Sequence, residues 1–216
     1  MPAAPIVDVH GIALRRPGAL ILRDVTLRVD PGEAVGLFGA NGSGKTSLLR
    51  VLATLDPPSA GSGTVLGAPL GSATVEAVRP RIALVAHEAA LRDNLTLEEN
   101  LQMVAALSGR GDEDAAAALV AVGLGGARDR RAAVCSNGMR RRAEFARVAL
   151  IAPDLLLLDE AHVGLDPAAG VLVEQMVERT TSRGGSVLLV SHERDRVRTL
   201  IRRSVTLADG RLEESS

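Results

Sequence analysis

Residues 39–46 read GANGSGKT, and this run constrains the fold more than any other stretch of the chain. It follows the apolar run AVGLF (34–38) and opens the segment KTSLLRVLATL (45–55), which has helical periodicity. The pattern G-x-x-x-x-G-K-[ST] between a strand and a helix is typical of a loop whose backbone N–H groups surround phosphate oxygens. The strand–loop–helix context therefore predicts an α/β fold that binds a phosphorylated ligand.

Lys45 is the only lysine among the 25 lysine and arginine residues of the chain. An ammonium is a compact charge on a thin stem and fits beneath a wrapped phosphate, whereas a guanidinium is forked and bulky. We expect Lys45 to reach the β- and γ-phosphates and the Thr46 hydroxyl to ligate Mg²⁺. The other residues predicted to bind the phosphates are Gly39, Ala40, Asn41, Gly42, Ser43, Gly44 and Ser47.

Strand-like and helix-like segments alternate along the chain, which favours an α/β architecture. The runs LLLL and VLLV are continuously apolar, as expected for parallel strands that are covered on both faces. The first two strands alternate in polarity and are separated by Pro17 and Gly18, so we interpret them as an antiparallel N-terminal edge. Strands are predicted at 6–14, 25–29, 34–38, 82–86, 155–159, 186–190 and 204–209.

Three helix-like segments fall between the strands predicted at 82–86 and 155–159. They read TLEENLQMVAALSG, DEDAAAALVAVGL and GMRRRAEFARVALI. We interpret residues 88–151 as a small helical subdomain. Residues 1–87 and 152–216 then form the core of a single domain with a mixed sheet.

Two strand ends carry residues suited to catalysis. Asp159 and Glu160 follow the four leucines at 155–158, where Asp159 could hold Mg²⁺ and Glu160 could orient or deprotonate an attacking water. His192 follows the strand at 186–190, at the end where open α/β sheets bind ligands. Together with the glycine-rich loop, these residues predict a triphosphate-hydrolysing site.

The segment 135–150 pairs a small polar turn with a basic helix. Ser136 and the two residues after it suit a helix N-cap and supply further amides for phosphate. We interpret Arg141 and Arg142 on this helix as a solvated face. Aromatic residues that could stack on bases are nearly absent from the chain, with Phe38 and Phe145 only, and the net charge is −1, so no nucleic-acid partner is expected.

Five motifs in order make the chain resemble the nucleotide-binding subunits of ABC transporters along nearly its full length. They are GANGSGKTS at the Walker A loop, AHEAALRDNLTLEENL at the Q-loop, CSNGMRRR at the signature, LLLLDE with GLD at Walker B, and VSH at the switch histidine. The resemblance implies ATP and Mg²⁺ as cofactors and a head-to-tail dimer of identical or paralogous cassettes. Ser136 and Gly138 would contact nucleotide across the interface, and Asp166 would couple the two sites.

The chain departs from this family at three sites. One is the signature, which reads CSNGM rather than its usual form but keeps the serine and the second glycine. The aromatic residue that stacks on adenine falls near Arg16, and the chain has no tyrosine or tryptophan. A guanidinium at Arg16 could stack on the base, or base recognition is loose. The Q-loop glutamine falls on Glu88, whose carboxylate could ligate the metal but adds negative charge near the phosphates.

The resemblance implies an ATPase that drives a separate integral membrane permease. One cysteine and no secretory leader predict a cytoplasmic chain, peripheral on the inner face of the cell membrane. The haem-exporter ATPases of cytochrome c biogenesis are similar, but so are small exporter ATPases for drugs, lipids or polysaccharides. A slow regulatory cassette, suggested by Glu88, also stays open. A single Walker A loop and only about 90 residues between Thr46 and Ser136 disfavour translation and DNA-repair ATPases.

Overall fold

A computed structural model of the chain describes residues 3–86, 88–161, 167–192 and 194–215. The strands in these residues are β1 (Val7–Arg16), β2 (Ala19–Val29), β3 (Ala34–Phe38), β4 (Ala60–Val65), β5 (Ala68–Pro69), β6 (Ile82–Val85), β7 (Leu155–Asp159), β8 (Ser186–Val190), β9 (Arg203–Ala208) and β10 (Arg211–Ser215). The helices are α1 (Lys45–Leu52), α2 (Val75–Val78), α3 (Leu97–Leu107), α4 (Asp112–Ala121), α5 (Asn137–Ile151), α6 (Pro167–Ser182) and α7 (Arg194–Val197).

The strands form two sheets. The larger sheet has the order β10-β9-β3-β8-β7-β6, in which only the β10–β9 pair is antiparallel among the described strands. The smaller sheet has the order β2-β1-β4-β5 and is antiparallel throughout its described pairs. The predicted mixed α/β fold and its antiparallel N-terminal pair are confirmed. The structure adds that β4 and β5 widen this pair into a sheet of its own.

The leucine run of β7 is buried on both sides of the larger sheet. Leu155 and Leu157 pack in a cluster with α1 and the smaller sheet. Leu156 and Leu158 pack in a second cluster, which contains apolar residues of α3, α4 and α5. The continuous apolar run therefore reflects cover on two faces, as its sequence indicates. The helical subdomain at 88–151 stays a prediction, because its helices share this second cluster with the sheet.

Local capping determines where two of the helices between β6 and β7 begin. Thr96 accepts a hydrogen bond from the Glu99 N–H, and the Glu99 carboxylate accepts one from the Thr96 N–H, which forms a capping box at α3. Ser136 caps α5 by accepting from the Met139 N–H at 3.3 Å, as predicted. No helix in the described residues is both long enough and apolar enough to cross a bilayer.

Candidate functional site

Three neighbouring strands end at one edge of the larger sheet and bring the predicted residues together. β8 lies between β3 and β7, and all three are parallel. β3 leads into the glycine-rich loop, β7 ends at Asp159, and His192 lies two residues beyond β8. The carboxyl ends of parallel strands meet at one edge, so residues more than 100 positions apart become neighbours.

The glycine-rich loop depends on a backbone conformation that a side chain would obstruct. Gly39 has φ 148°, and a Cβ added there would overlap the carbonyl oxygen of Leu207 in β9. The N-cap position of α1, Gly44, has φ 107° and supplies no side-chain cap. The first N–H groups of α1 are therefore not capped by this residue and face the position that an anion would occupy.

Lys45 lies within the loop rather than projecting into solvent. Its side chain is buried, and Nζ donates to the carbonyl oxygens of Gly39 and Ala40, both at 2.9 Å. These bonds hold the ammonium against the inner backbone of the loop. A thin side chain is required here, because the carbonyl oxygens leave little room for a planar guanidinium.

Thr46 and Asp159 meet although 113 positions separate them in sequence. The Thr46 hydroxyl donates to Oδ2 of Asp159 at 2.7 Å, and Asp159 is buried. A hydroxyl beside a carboxylate offers oxygen ligands of the kind that Mg²⁺ prefers. No group of three or more His, Cys, Asp or Glu side chains within the described ranges is placed so that it could hold a metal ion by itself. A cation that takes few protein ligands and completes its shell with phosphate oxygens fits this donor set.

Glu160 and His192 form the second close pair at this edge. Oε1 of Glu160 lies 2.6 Å from Nε2 of His192. The Glu160 backbone has φ 52°, while its N–H donates to the Val190 carbonyl at 3.2 Å. A left-handed conformation in a non-glycine residue costs about 1–2 kcal/mol and is found most often at functional sites. The imidazole then restrains the direction in which this carboxylate points.

The two signature residues lie on an exposed turn. Ser136 and Gly138 are exposed at the start of α5, and no hydrogen bond or ion pair between described residues joins them to the glycine-rich loop. Arg140 holds this turn in place, because its Nη1 donates to Asp93 at 2.6 Å and to the Ala132 carbonyl at 2.8 Å. The turn is thus ordered but open to contact from outside the chain.

Two other predicted site residues carry less structural information. Glu88 is exposed and forms no hydrogen bond or ion pair with another described residue. Asp166 lies outside the described residues. The metal role of Glu88 and the coupling role of Asp166 therefore stay predictions.

Arg16 belongs to a cluster that joins the end of β1 to the turn after α1. Its Nη2 donates to Oδ2 of Asp56 at 2.5 Å, and Arg50 donates to both carboxylate oxygens of Asp56. The hydrogen bonds from Arg50 lower the pKa of Asp56 from its ordinary value, burial opposes this shift, and the charges of Arg50 and Arg16 add to it. Asp56 therefore fixes the position of the Arg16 guanidinium, whose side chain is 49% exposed.

Replacing Asp56 with Asn should lower the free energy of unfolding at pH 7 by about 1 kcal/mol. Because the pKa of Asp56 is lowered, its contribution is present above its ordinary pKa of 3.8 and is lost as the pH falls through the folded value. Urea unfolding at several pH values would measure this. Asp129→Asn, at a side chain that is 89% exposed, is the matched control. A difference between Asp56→Asn and wild type that stays constant down to about pH 2 would contradict this account.

The interpretation of Arg141 as part of a solvated face is wrong. Arg141 is buried, and its Nη1 donates to the Ala86 carbonyl at 2.6 Å. Arg142 is only partly exposed and also has an interaction partner. The helical pattern could not reveal this, because the face that α5 buries depends on where β6 ends.

Several residues at the site carry no sequence signal. The Arg194 guanidinium lies 4.5 Å from the centre of the Phe38 ring and donates to Oγ1 of Thr206, which ties the segment after His192 to β3 and β9. A pocket of about 530 Å³ opens beside the glycine-rich loop. Outside the loop it is lined by Leu20, Ile21, Arg23, Thr206, Leu207, Ala208, Asp209 and Gly210. These contacts require the pairing of β3 with β9, which no local pattern encodes.

Comparison with protein families gives one match over most of the chain. Residues 22–163 match the family model described as ABC transporter. A solved structure described as the ATP-binding subunit of an ABC transporter superposes with a TM-score of 0.88 at 26% identity, covering 97% of this chain and 90% of that one. A dimeric ATP-binding cassette bound to ADP and Pi superposes with a TM-score of 0.85 at 24% identity, covering 96% and 98% of the two chains, and shows the fold alone.

Curated relatives with different cargoes are similarly close. The cytochrome c biogenesis ATP-binding export protein CcmA of Pseudomonas fluorescens is 38% identical over 88% of this chain and 90% of its own length. The daunorubicin/doxorubicin resistance ATP-binding protein DrrA of Streptomyces peucetius is 35% identical over 95% of this chain and 63% of its own. The Nod factor export ATP-binding protein I of Burkholderia pseudomallei is 35% identical over 98% and 70%.

Proposed function

This chain belongs to the ABC transporter family and is an ATP-binding subunit with ATPase activity, and we propose that it drives a separate membrane permease. The observation that carries the proposal is the meeting of two pairs, Thr46 with Asp159 and Glu160 with His192, at one edge of the sheet. One pair suits a metal-bound triphosphate, and the other suits activation of water.

In the proposed mechanism the glycine-rich loop and Lys45 bind the phosphates. The loop amides and the first N–H groups of α1 would donate hydrogen bonds to the phosphate oxygens. Lys45 would supply a positive charge from inside the loop. Thr46 and Asp159 would hold Mg²⁺, which would neutralise charge on the phosphate oxygens. The other phosphate-binding residues are proposed to be Ala40, Asn41, Gly42, Ser43 and Ser47.

Glu160 is the proposed general base. Its carboxylate would accept a proton from the water that attacks the γ-phosphorus, while the bond to the leaving ADP oxygen breaks. His192 holds Oε1 at 2.6 Å and would keep the carboxylate aligned as it takes the proton.

We propose that two cassettes assemble head to tail around the nucleotides. The exposed positions of Ser136 and Gly138 support this arrangement, because an ordered turn with free amides faces outward at the start of α5. A second copy or a paralogue would present the same turn to the first. Asp166 would couple the two sites.

With a membrane permease as its partner, the chain would lie at the cytoplasmic face of the cell membrane. Haem export for cytochrome c biogenesis is one candidate function, supported by the 38% identity to CcmA of P. fluorescens. Export of a drug, a lipid or a polysaccharide is the second candidate, supported by the relatives named for drug resistance and Nod factor export. The permease would select the cargo, so residues of this chain do not distinguish these candidates.

Two experiments test the general and the specific proposals. The purified chain would be reconstituted in lipid nanodiscs with the permease from neighbouring reading frames, and Mg²⁺-dependent ATP hydrolysis would be measured. Absence of hydrolysis with every partner would contradict the transport ATPase. In the source organism, deletion should abolish covalent haem in c-type cytochromes if haem export is correct. Normal c-type cytochromes with altered drug tolerance would favour the second candidate.

Glu88 allows a direct test of the slow regulatory alternative. Replacing it with Gln should raise kcat by about 3- to 10-fold, because one negative charge is removed near the phosphates. The steady-state ATPase rate at saturating MgATP measures this, with Glu76→Gln as a control at another exposed carboxylate. An unchanged or lower rate would show that Glu88 does not slow turnover.

A further inference from the structure

One face of α5 carries three charged side chains that the proposed mechanism does not use. Arg141, Glu144 and Arg147 are spaced by three residues and therefore lie on the same side of the helix. The Glu144 side chain is completely buried, and the Arg147 side chain is only 14% exposed. Buried charges of this kind are retained only where hydrogen bonds replace the lost water.

Arg147 connects Glu144 to a neighbouring strand, and Arg141 bonds to the backbone at the end of the same strand. Arg147 donates to both carboxylate oxygens of Glu144, at 3.2 and 3.0 Å, and to the Leu84 carbonyl at 2.9 Å. Arg141 donates to the Ala86 carbonyl at 2.6 Å. Leu84 lies in β6, and Ala86 is the first residue after that strand. α5 therefore holds the backbone at this strand end at two points.

Arg141 is the member of this cluster that also senses the negative charge of Asp159. Burial lowers the pKa of Arg141, and the negative charges of Glu144 and Asp159 oppose that shift. β6 is also hydrogen-bonded to β7, the strand that ends in Asp159. A displacement of α5 would therefore be transmitted to both strand ends.

We propose that Glu144 is a positioning residue that joins the signature turn at the start of α5 to the backbone at the end of β6. Ser136 lies at the N-cap of α5, and Glu88 lies two residues beyond Ala86. Arg147, held by Glu144, fixes the helix against this strand end. The signature turn and residues 84–86 then move as one unit when a second cassette closes on nucleotide. This role in closure rests on the proposed function.

The test compares Glu144→Gln with Glu178→Gln, a matched change at an exposed glutamate of α6. Amide hydrogen exchange would be measured on the nucleotide-free chain. Glu144→Gln should speed exchange at 82–86 and at 134–142 together by about tenfold, as expected from the loss of one charge-assisted hydrogen bond. Exchange in β3 and β8 should not change, and Glu178→Gln should match wild type.

A second readout examines closure. With Glu160→Gln in each chain, light scattering would follow ATP-driven dimer formation. Adding Glu144→Gln should raise the ATP concentration needed by about tenfold. Failure of Glu160→Gln alone to dimerise would contradict the proposed function, while the exchange measurement would still decide the role of Glu144.

A variant with apolar replacements separates positioning from stability. Glu144→Leu combined with Arg147→Met removes the buried charge pair and should keep the Tm near that of wild type. Its amide hydrogen exchange should still be faster than in wild type at both 82–86 and 134–142. If Glu144→Gln does not fold, amide hydrogen exchange is measured on this variant instead. Full protection in a folded variant, or faster exchange everywhere in equal measure, would overturn the proposal.

Discussion

Replacing Glu160 with Gln is expected to lower steady-state ATP hydrolysis by about 10²- to 10⁴-fold, the usual contribution of a positioned general base. Gln has nearly the same shape and could still contact His192, but it cannot accept a proton from water. The free energy of unfolding should change little, because the Glu160 side chain is 29% exposed. A coupled phosphate-release assay measures the rate, and Glu178→Gln controls for loss of a carboxylate elsewhere.

The same variant should form a stable dimer in the presence of ATP. Nucleotide binding depends on the glycine-rich loop, Lys45 and Thr46, which the change leaves intact. Size-exclusion chromatography with light scattering would detect the dimer. Persistence of a monomer at saturating ATP would count against the shared-site arrangement, and an unchanged hydrolysis rate would exclude Glu160 as the base.

Replacing Lys45 with Arg is expected to lower kcat/KM for ATP by about 10²-fold or more, while the chain remains folded. The ammonium donates to the carbonyls of Gly39 and Ala40 in a buried position inside the loop. A guanidinium is too broad to satisfy both carbonyls and reach the phosphates from the same place. The loop would open or the arginine would turn outward, and either change removes a charge that stabilises the transition state.

Nucleotide titration and far-UV circular dichroism would separate the effects of Lys45→Arg on binding and on folding. Arg183→Lys, an exchange of the same two residue types on the exposed surface, is the control. ATP affinity and turnover equal to wild type would show that the lone lysine has no special role. Loss of the helical signal in the dichroism spectrum would show that Lys45 is needed for folding.

Sequence patterns predicted the elements that build the site with high fidelity. The runs before Gly39, Asp159 and His192 are strands, and their carboxyl ends meet as the parallel arrangement requires. The pattern failed at β4 and β5, because Gly- and Ala-rich segments show neither alternation nor β-branched enrichment. Those strands form through pairing with β1, which is a tertiary event.

The burial of charged residues, in contrast, was not predicted by the sequence pattern. The run RRR at 140–142 looks like a solvated face, yet Arg141 is buried and Arg140 holds Asp93. Burial of a charge becomes favourable only when acceptors from distant segments replace water. The Ala86 carbonyl is such an acceptor, and its position depends on the whole sheet.

The sequence alone determined the residue types of the site and their attachment to strand ends, because the loop motif and the apolar runs are local properties of the chain. Only the tertiary structure decided which of these residues touch: Thr46 with Asp159, and Glu160 with His192. It also decided that Glu144 lies buried beside Arg147. Contacts between segments depend on strand order and on the face that each helix buries, and these arise from the packing of the whole chain.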